Sequence, residues 1–204
     1  MAFLYAVIGD NRTGKSQLAL LLAKMWKRSN KKGKIYAHDV NDDFAKIADF
    51  DIDANNKEWA LELSEKKNVL LILDEIRLLH PSNQTHPNDR TLMAKRGKNN
   101  INIIYIQHNP RMILEIFAYY THKYFIFFTN NRKGNFDEKV PDAELCLTAA
   151  YIVNKYAGRY DSHQYKALYP KFPYCIVDTK SGEISTQNMN ASFLKKLNQK
   201  PKTK

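Results

Sequence analysis

Residues 9–16 read GDNRTGKS and match the pattern G-x-x-x-x-G-K-[ST] in full. That spacing suits phosphate. Gly9 and Gly14 let the backbone curl until consecutive N–H groups and a helix start point at one anion. Lys15 then reaches the β- and γ-phosphates, and the Ser16 hydroxyl ligates Mg2+. The candidate ATP-binding segment is Gly9, Asp10, Asn11, Arg12, Thr13, Gly14, Lys15 and Ser16, with Gln17 behind it. Apolar sequence precedes it (AFLYAVI) and a helix-forming run follows it (QLALLLAKMW), which is the context that gives the pattern its meaning.

A second group of reactive side chains stands at the end of NVLLILDE, an apolar run closed by two carboxylates. Asp74 is suited to hold the magnesium through water or through Ser16, and Glu75 to polarise the attacking water as general base. Acids at a strand end also cap helices, and the complete phosphate loop upstream favours the catalytic role. The strand-like KIYAHDV lies between the loop and the acids, and the acids are Asp-Glu rather than a lone Asp. This resembles the additional-strand, catalytic-glutamate division of P-loop ATPases and favours hydrolysis over transfer to a metabolite. The run INIIYIQHNP ends its strand on Gln107. A polar residue at that tip in such ATPases contacts the γ-phosphate or the water; Gln107 would otherwise cap a helix starting at Pro110.

The elements that must position these groups are visible as apolar segments: FLYAVIG (3–9), KIYAHDV (34–40), NVLLILD (68–74), NINIIYIQ (100–107) and KYFIFF (123–128). Their apolarity is continuous rather than alternating, which predicts strands buried on both faces of a largely parallel sheet. Helices are predicted over SQLALLLAKMWKR, PNDRTLMAKRGKN, PRMILEIFAYY and LCLTAAYIVNKYA, the second and third opened by Pro87 and Pro110. Residues NNRKGNFDEKVPD read as a loop, and FPYCIVDTKSGEIS as two strands about Lys180-Ser181-Gly182. The predicted architecture is α/β: a three-layer P-loop NTPase of the additional-strand, RecA-like kind, with a central mostly parallel sheet flanked by helices and a small C-terminal β-hairpin. One domain is expected over 1–204, with its core at about 3–130, an extension at 131–190 and a flexible basic tail at 191–204.

Composition narrows the partners. The 204 residues carry a formal charge of +11 with pI near 9.5, a surplus suited to a polyanion. Cys146 and Cys175 lack metal or redox spacing, and His80, His86, His108, His122 and His163 are scattered without ligand spacing, so no zinc site is expected. The N-terminus has no basic leader, and the longest apolar runs, LALLLA and VLLIL, are too short for a bilayer, so a soluble, non-secreted protein is expected.

Taken together, GDNRTGKS, LILDE and RGKNNINIIYIQHNPR resemble the HerA/FtsK superfamily over roughly residues 3–130. The chain lacks large appended modules and is most similar to the genome-packaging ATPases of membrane-containing icosahedral viruses, of the Sulfolobus turreted icosahedral virus type. The resemblance implies an ATP- and Mg2+-dependent hydrolase forming a homo-oligomeric ring, expected to be a hexamer. Such a ring would drive double-stranded DNA into a preformed capsid, without reading sequence. It would act in the host cytoplasm or at the packaging vertex, beside capsid-vertex or internal-membrane proteins. It further implies an arginine supplied in trans by the neighbouring subunit, for which Arg96 in AKRGKNNIN is the first choice, with Arg90 and Arg111 behind it. DNA contacts are expected among Lys95, Lys98, Arg132 and Lys133. A small-molecule kinase is the alternative, although the compact Arg-x-x-x-Arg lid of such enzymes does not follow the Gln strand. A guanine-nucleotide switch would need Asn-Lys-x-Asp, and NKYA places Ala157 where the Asp belongs.

Overall fold

The unbroken apolar stretches become neighbouring strands of one sheet. In the computed structural model, which describes residues 2–80, 85–129, 140–157 and 172–189, they are β1 (Leu4–Ile8), β2 (Lys34–His38), β4 (Val69–Asp74), β5 (Ile101–Gln107) and β6 (Lys123–Ile126). A short β3 (Phe50–Asp51) and a hairpin of β7 (Phe172–Asp178) and β8 (Glu183–Met189) complete the order β3-β2-β4-β5-β1-β6-β7-β8. Pairing is parallel from β3 to β6 and antiparallel through β6–β7–β8. Every residue of β4 and β5 is buried, as strands covered on both faces require.

One face is covered by α1 (Lys15–Ser29), whose Leu18, Ala19, Ala23 and Trp26 pack on Val7, Ile35, Leu70, Ile72 and Ile104. The other face carries α2 (Trp59–Ser64), α3 (Ile76–Leu79), α4 (Pro87–Asn99), α5 (Glu115–Tyr120) and α6 (Ala143–Ala157), over Leu71, Leu73, Ile101, Ile103 and Tyr105. The α4 start is a capping box: the His86 ring accepts the Asn88 N–H, and Asp89 accepts the His86 N–H at 2.8 Å.

Within the sheet, the strand inserted between β1 and β4 is β5, whereas KIYAH forms β2 on the far side of β4. The register sets Ile8 opposite Gln107 and Asp74 opposite Ile106, so the tips of the loop, acid and glutamine strands lie side by side.

The continuous helix predicted over 110–120 is two pieces. A 3-10 turn spans Pro110–Met112, and Ile113 and Leu114 are extended before α5 begins. Asn109 caps the turn by accepting the Arg111 N–H at 3.0 Å, and the extended pair drives two apolar side chains into the core. Most of the predicted loop at 130–142, the basic tail and His163 lie outside the described residues. Among the described residues, no helix is long and apolar enough to cross a membrane.

Candidate nucleotide site

Parallel strands end on one edge of the sheet, and the candidate chemistry gathers there. The chain leaves β1 at Ile8 and enters α1 at Lys15 through the phosphate loop. Gly9 is required by close approach: a Cβ there would sit 2.6 Å from Phe127 Cβ and 3.1 Å from the Phe128 carbonyl oxygen. Its N–H donates to Gln107 O at 3.2 Å, and the Asp10 N–H donates to Phe128 O at 2.8 Å, tying the loop to the strands on either side. Gly14 caps α1 in the left-handed conformation at φ 100°, with no side-chain cap over the first turn. Arg12 at φ 60° and Glu75 at φ 51° hold positive φ that non-glycine residues rarely adopt, a form of strain that collects at functional sites.

Lys15 is buried, 4% exposed. Its ammonium donates to Asp10 O at 2.7 Å and to His108 Nδ1 at 2.8 Å, while the Thr13 hydroxyl donates to the same Asp10 carbonyl at 2.8 Å. Burial pushes Lys15 down to about 8, against the pull of Asp74 and Asp10. Asp74 is 2% exposed, and its Oδ2 has no protein partner. Burial pushes it up to about 6; Lys15 opposes the rise, and Asp39 and Asp43 add to it. His38 donates from Nδ1 to the Asp74 carbonyl at 2.7 Å, fixing the backbone where the acid strand ends.

His108 connects two of these groups. Its Nε2 lies 2.6 Å from Glu75 Oε1 and its Nδ1 faces Lys15. Burial first, and then the Lys15 charge, push the imidazole down to about 4, so the ring is neutral at neutral pH. One tautomer satisfies both contacts: Nε2–H donates to Glu75 and Nδ1 accepts from Lys15.

Gln107 has 0% exposure, and neither its amide oxygen nor its amide nitrogen has a partner in the protein. The cap of the Pro110 turn is Asn109, so the capping alternative for Gln107 is corrected. An orphaned carboxylate oxygen and an orphaned amide beside a phosphate loop are the donors and acceptors that a metal–triphosphate complex uses, so these residues fit Mg2+ and nucleotide.

The structure thus brings Lys15, Asp74, Glu75 and Gln107 to one edge. Arg96, the first choice for the arginine supplied in trans, is not among them. It is 7% exposed in the last turn of α4, its guanidinium donating to Ala2 O at 3.3 Å beside the start of β1, at the opposite edge of the sheet. Exposed Arg90 lies in the first turn of α4 and exposed Arg111 in the turn after β5, both toward the nucleotide edge. Lys95, paired with Glu65, and exposed Lys98 lie toward the far edge. Arg132 and Lys133 lie outside the described residues. His108 and His38 carry no spacing signature, although the position of His108 directly after Gln107 is a usable signal.

A parallel sheet with its glutamine strand inserted between phosphate-loop and acid strands is the fold of P-loop NTPases. No family model matches the sequence, and no curated protein matches it. Solved structures do share the fold. The genome-packaging NTPase B204 of Sulfolobus turreted icosahedral virus 2, in complex with AMPPCP, superposes with TM-score 0.66 at 15% identity, covering 91% of this chain and 97% of that one. B204, the DNA-packaging ATPase of Sulfolobus turreted icosahedral virus, gives 0.58 at 18% identity over 91% and 96%. The N-terminal domain of zonular occludens toxin from Neisseria meningitidis gives 0.58 at 12% identity over 96% and 98%. The likeness to packaging ATPases read from the motifs is present in the fold.

Proposed function

We propose that the chain hydrolyses ATP to move double-stranded DNA into a preformed capsid as a subunit of a ring, expected to be a hexamer. The observation carrying the hydrolytic half is the convergence of Lys15, Asp74, Glu75 and the unpartnered Gln107 amide on one edge of the sheet. The packaging half rests on the fold shared with the B204 proteins, which cover nearly the whole chain, and on the +11 charge.

The N–H groups of the loop and of the α1 start bind phosphate oxygens, and Lys15 leaves Asp10 O to reach the β- and γ-phosphates. Ser16 and Asp74 would hold Mg2+, which neutralises phosphate charge and helps the leaving group depart. Glu75 accepts a hydrogen bond from the attacking water and takes its proton as the bond to phosphorus forms. Gln107 donates its amide N–H to a γ-phosphate oxygen or accepts from the water, filling a hydrogen-bonding capacity that the protein leaves open. The transition-state charge is completed from a neighbouring subunit, and Arg90 and Arg111 are the exposed candidates. The ring would work in the host cytoplasm or at a packaging vertex, against capsid or internal-membrane proteins.

Steady-state ATPase rate measured with and without double-stranded DNA, across salt concentrations, tests the reading. Stimulation by DNA that fades with salt is expected, because phosphate contacts release counterions. Lys15→Ala should abolish turnover. Glu75→Gln should bind ATP yet lose roughly 10²–10⁴ in rate. Wild-type turnover in the Glu75→Gln variant would refute the assigned base, and transfer of phosphate to a nucleoside or nucleotide acceptor would replace the motor with a kinase.

A further inference from the structure

Among the described residues at the nucleotide edge, His108 touches two groups of the hydrolytic reading at once and is itself left without a task by it. It is only part-buried, and its ring nitrogens face reactive side chains, Lys15 Nζ at 2.8 Å and Glu75 Oε1 at 2.6 Å, with a further hydrogen bond to the Gly9 backbone. We propose that His108 is a positioning residue, a latch that ties Glu75 to Lys15 and restrains the general base until a triphosphate draws the lysine away. The inference deepens the ATP-hydrolysis reading and rests on it.

The latch follows from counting donors. A neutral imidazole has one N–H and one lone pair. Here Nδ1 accepts a hydrogen bond from the Lys15 ammonium and the Nε2–H donates one to Glu75, so the ring is held by both side chains at once. The carboxylate keeps further acceptor sites for a water, but its position is fixed by the ring for as long as Lys15 holds Nδ1. The Lys15 ammonium that donates to His108 must turn to reach β- and γ-phosphate oxygens. When it does, Nδ1 loses that donor, the His108–Glu75 pair is no longer anchored to Lys15, and the pair is able to swing together to orient water. No covalent bond changes and no proton leaves the ring; the step exchanges hydrogen bonds only. Gly9 and the Asp10–Phe128 bond keep the loop fixed meanwhile, so the motion is confined to side chains.

Binding affinity reads the competition directly. Dissociation constants of a non-hydrolysable ATP analogue and of AMP are measured for wild type, His108→Ala and His108→Gln, with melting curves run on each. His108→Ala frees Lys15 from one partner and should tighten analogue binding about three- to tenfold, the net worth of one such hydrogen bond. AMP, which lacks β- and γ-phosphates, should bind all three proteins alike. His108→Gln retains both an acceptor and a donor and should restore the wild-type affinity. A purely structural role would move AMP and the analogue together, and that outcome overturns the latch. So does an Ala variant whose analogue affinity is unchanged or weaker while wild type binds normally. A wild-type protein that binds neither nucleotide overturns the hydrolytic reading itself, and the latch with it.

Discussion

Replacing Gln107 by Met should make the protein more stable and stop hydrolysis. The side chain is fully buried at the tip of β5, and its amide oxygen and nitrogen both lack a partner within the protein. An unpaired buried amide costs about 1–3 kcal/mol in mutational series. Met keeps the unbranched stem and similar volume, a kind of swap that costs under about 1.5 kcal/mol when the packing is not ideal. The balance is a gain of about 1–2 kcal/mol, which for a chain of this size raises Tm by roughly 3–6 °C. Thermal melts followed by circular dichroism, and a urea midpoint that rises without change in m, measure the gain. ATPase assays on the same samples measure the loss. A Met variant that melts below wild type while turning over at the wild-type rate refutes the reasoning, because Gln107 would then be a structural group with a hidden partner.

Gly9→Ala places its Cβ 2.6 Å from Phe127 Cβ; the overpacking should cost about 2–3 kcal/mol and weaken nucleotide binding, checked by melts and by titration. Asp74→Asn should change the pH profile of stability. The folded carboxyl is pushed up to about 6, so it binds its proton more readily folded than unfolded, and its contribution to stability is full below about pH 4 and is lost as pH rises through 6. Above pH 7 the Asn variant should therefore exceed wild type by up to about 2–3 kcal/mol, less what Lys15 loses with its partner, in melts run with chelator. The two should converge near pH 4, and parallel pH curves would count against a buried, charged Asp74. Arg96→Met should lower Tm through the lost bond to Ala2 O while leaving turnover near wild type; collapse of ATPase activity at unchanged Tm would restore its role in trans. Arg90→Ala and Arg111→Ala, assayed in mixtures with the Glu75→Gln variant, should show which arginine completes a neighbour's site.

The sequence by itself determined the phosphate-loop pattern and which strands build the sheet, because both depend on local rules. A phosphate loop is eight consecutive residues, so its glycines, lysine and serine are read without knowing anything distant. Buried parallel strands need apolar residues on both faces, so β1, β2, β4, β5 and β6 announce themselves. The short β3, α2 and α3 carry no such periodicity, and their existence depends on what they pack against. Tertiary structure alone decided the rest. The strand order put β5 between β1 and β4, so the Gln107 tip lies beside the loop rather than at a helix cap. The antiparallel return of α4 carried Arg96 to the far edge and into the core, although its position before the glutamine strand reads equally well as exposed. The juxtaposition of Lys15, His108 and Glu75 spans 93 residues of chain for one of its contacts, and no spacing rule reaches that far. Only strands ending on a common edge bring such side chains within hydrogen-bonding distance.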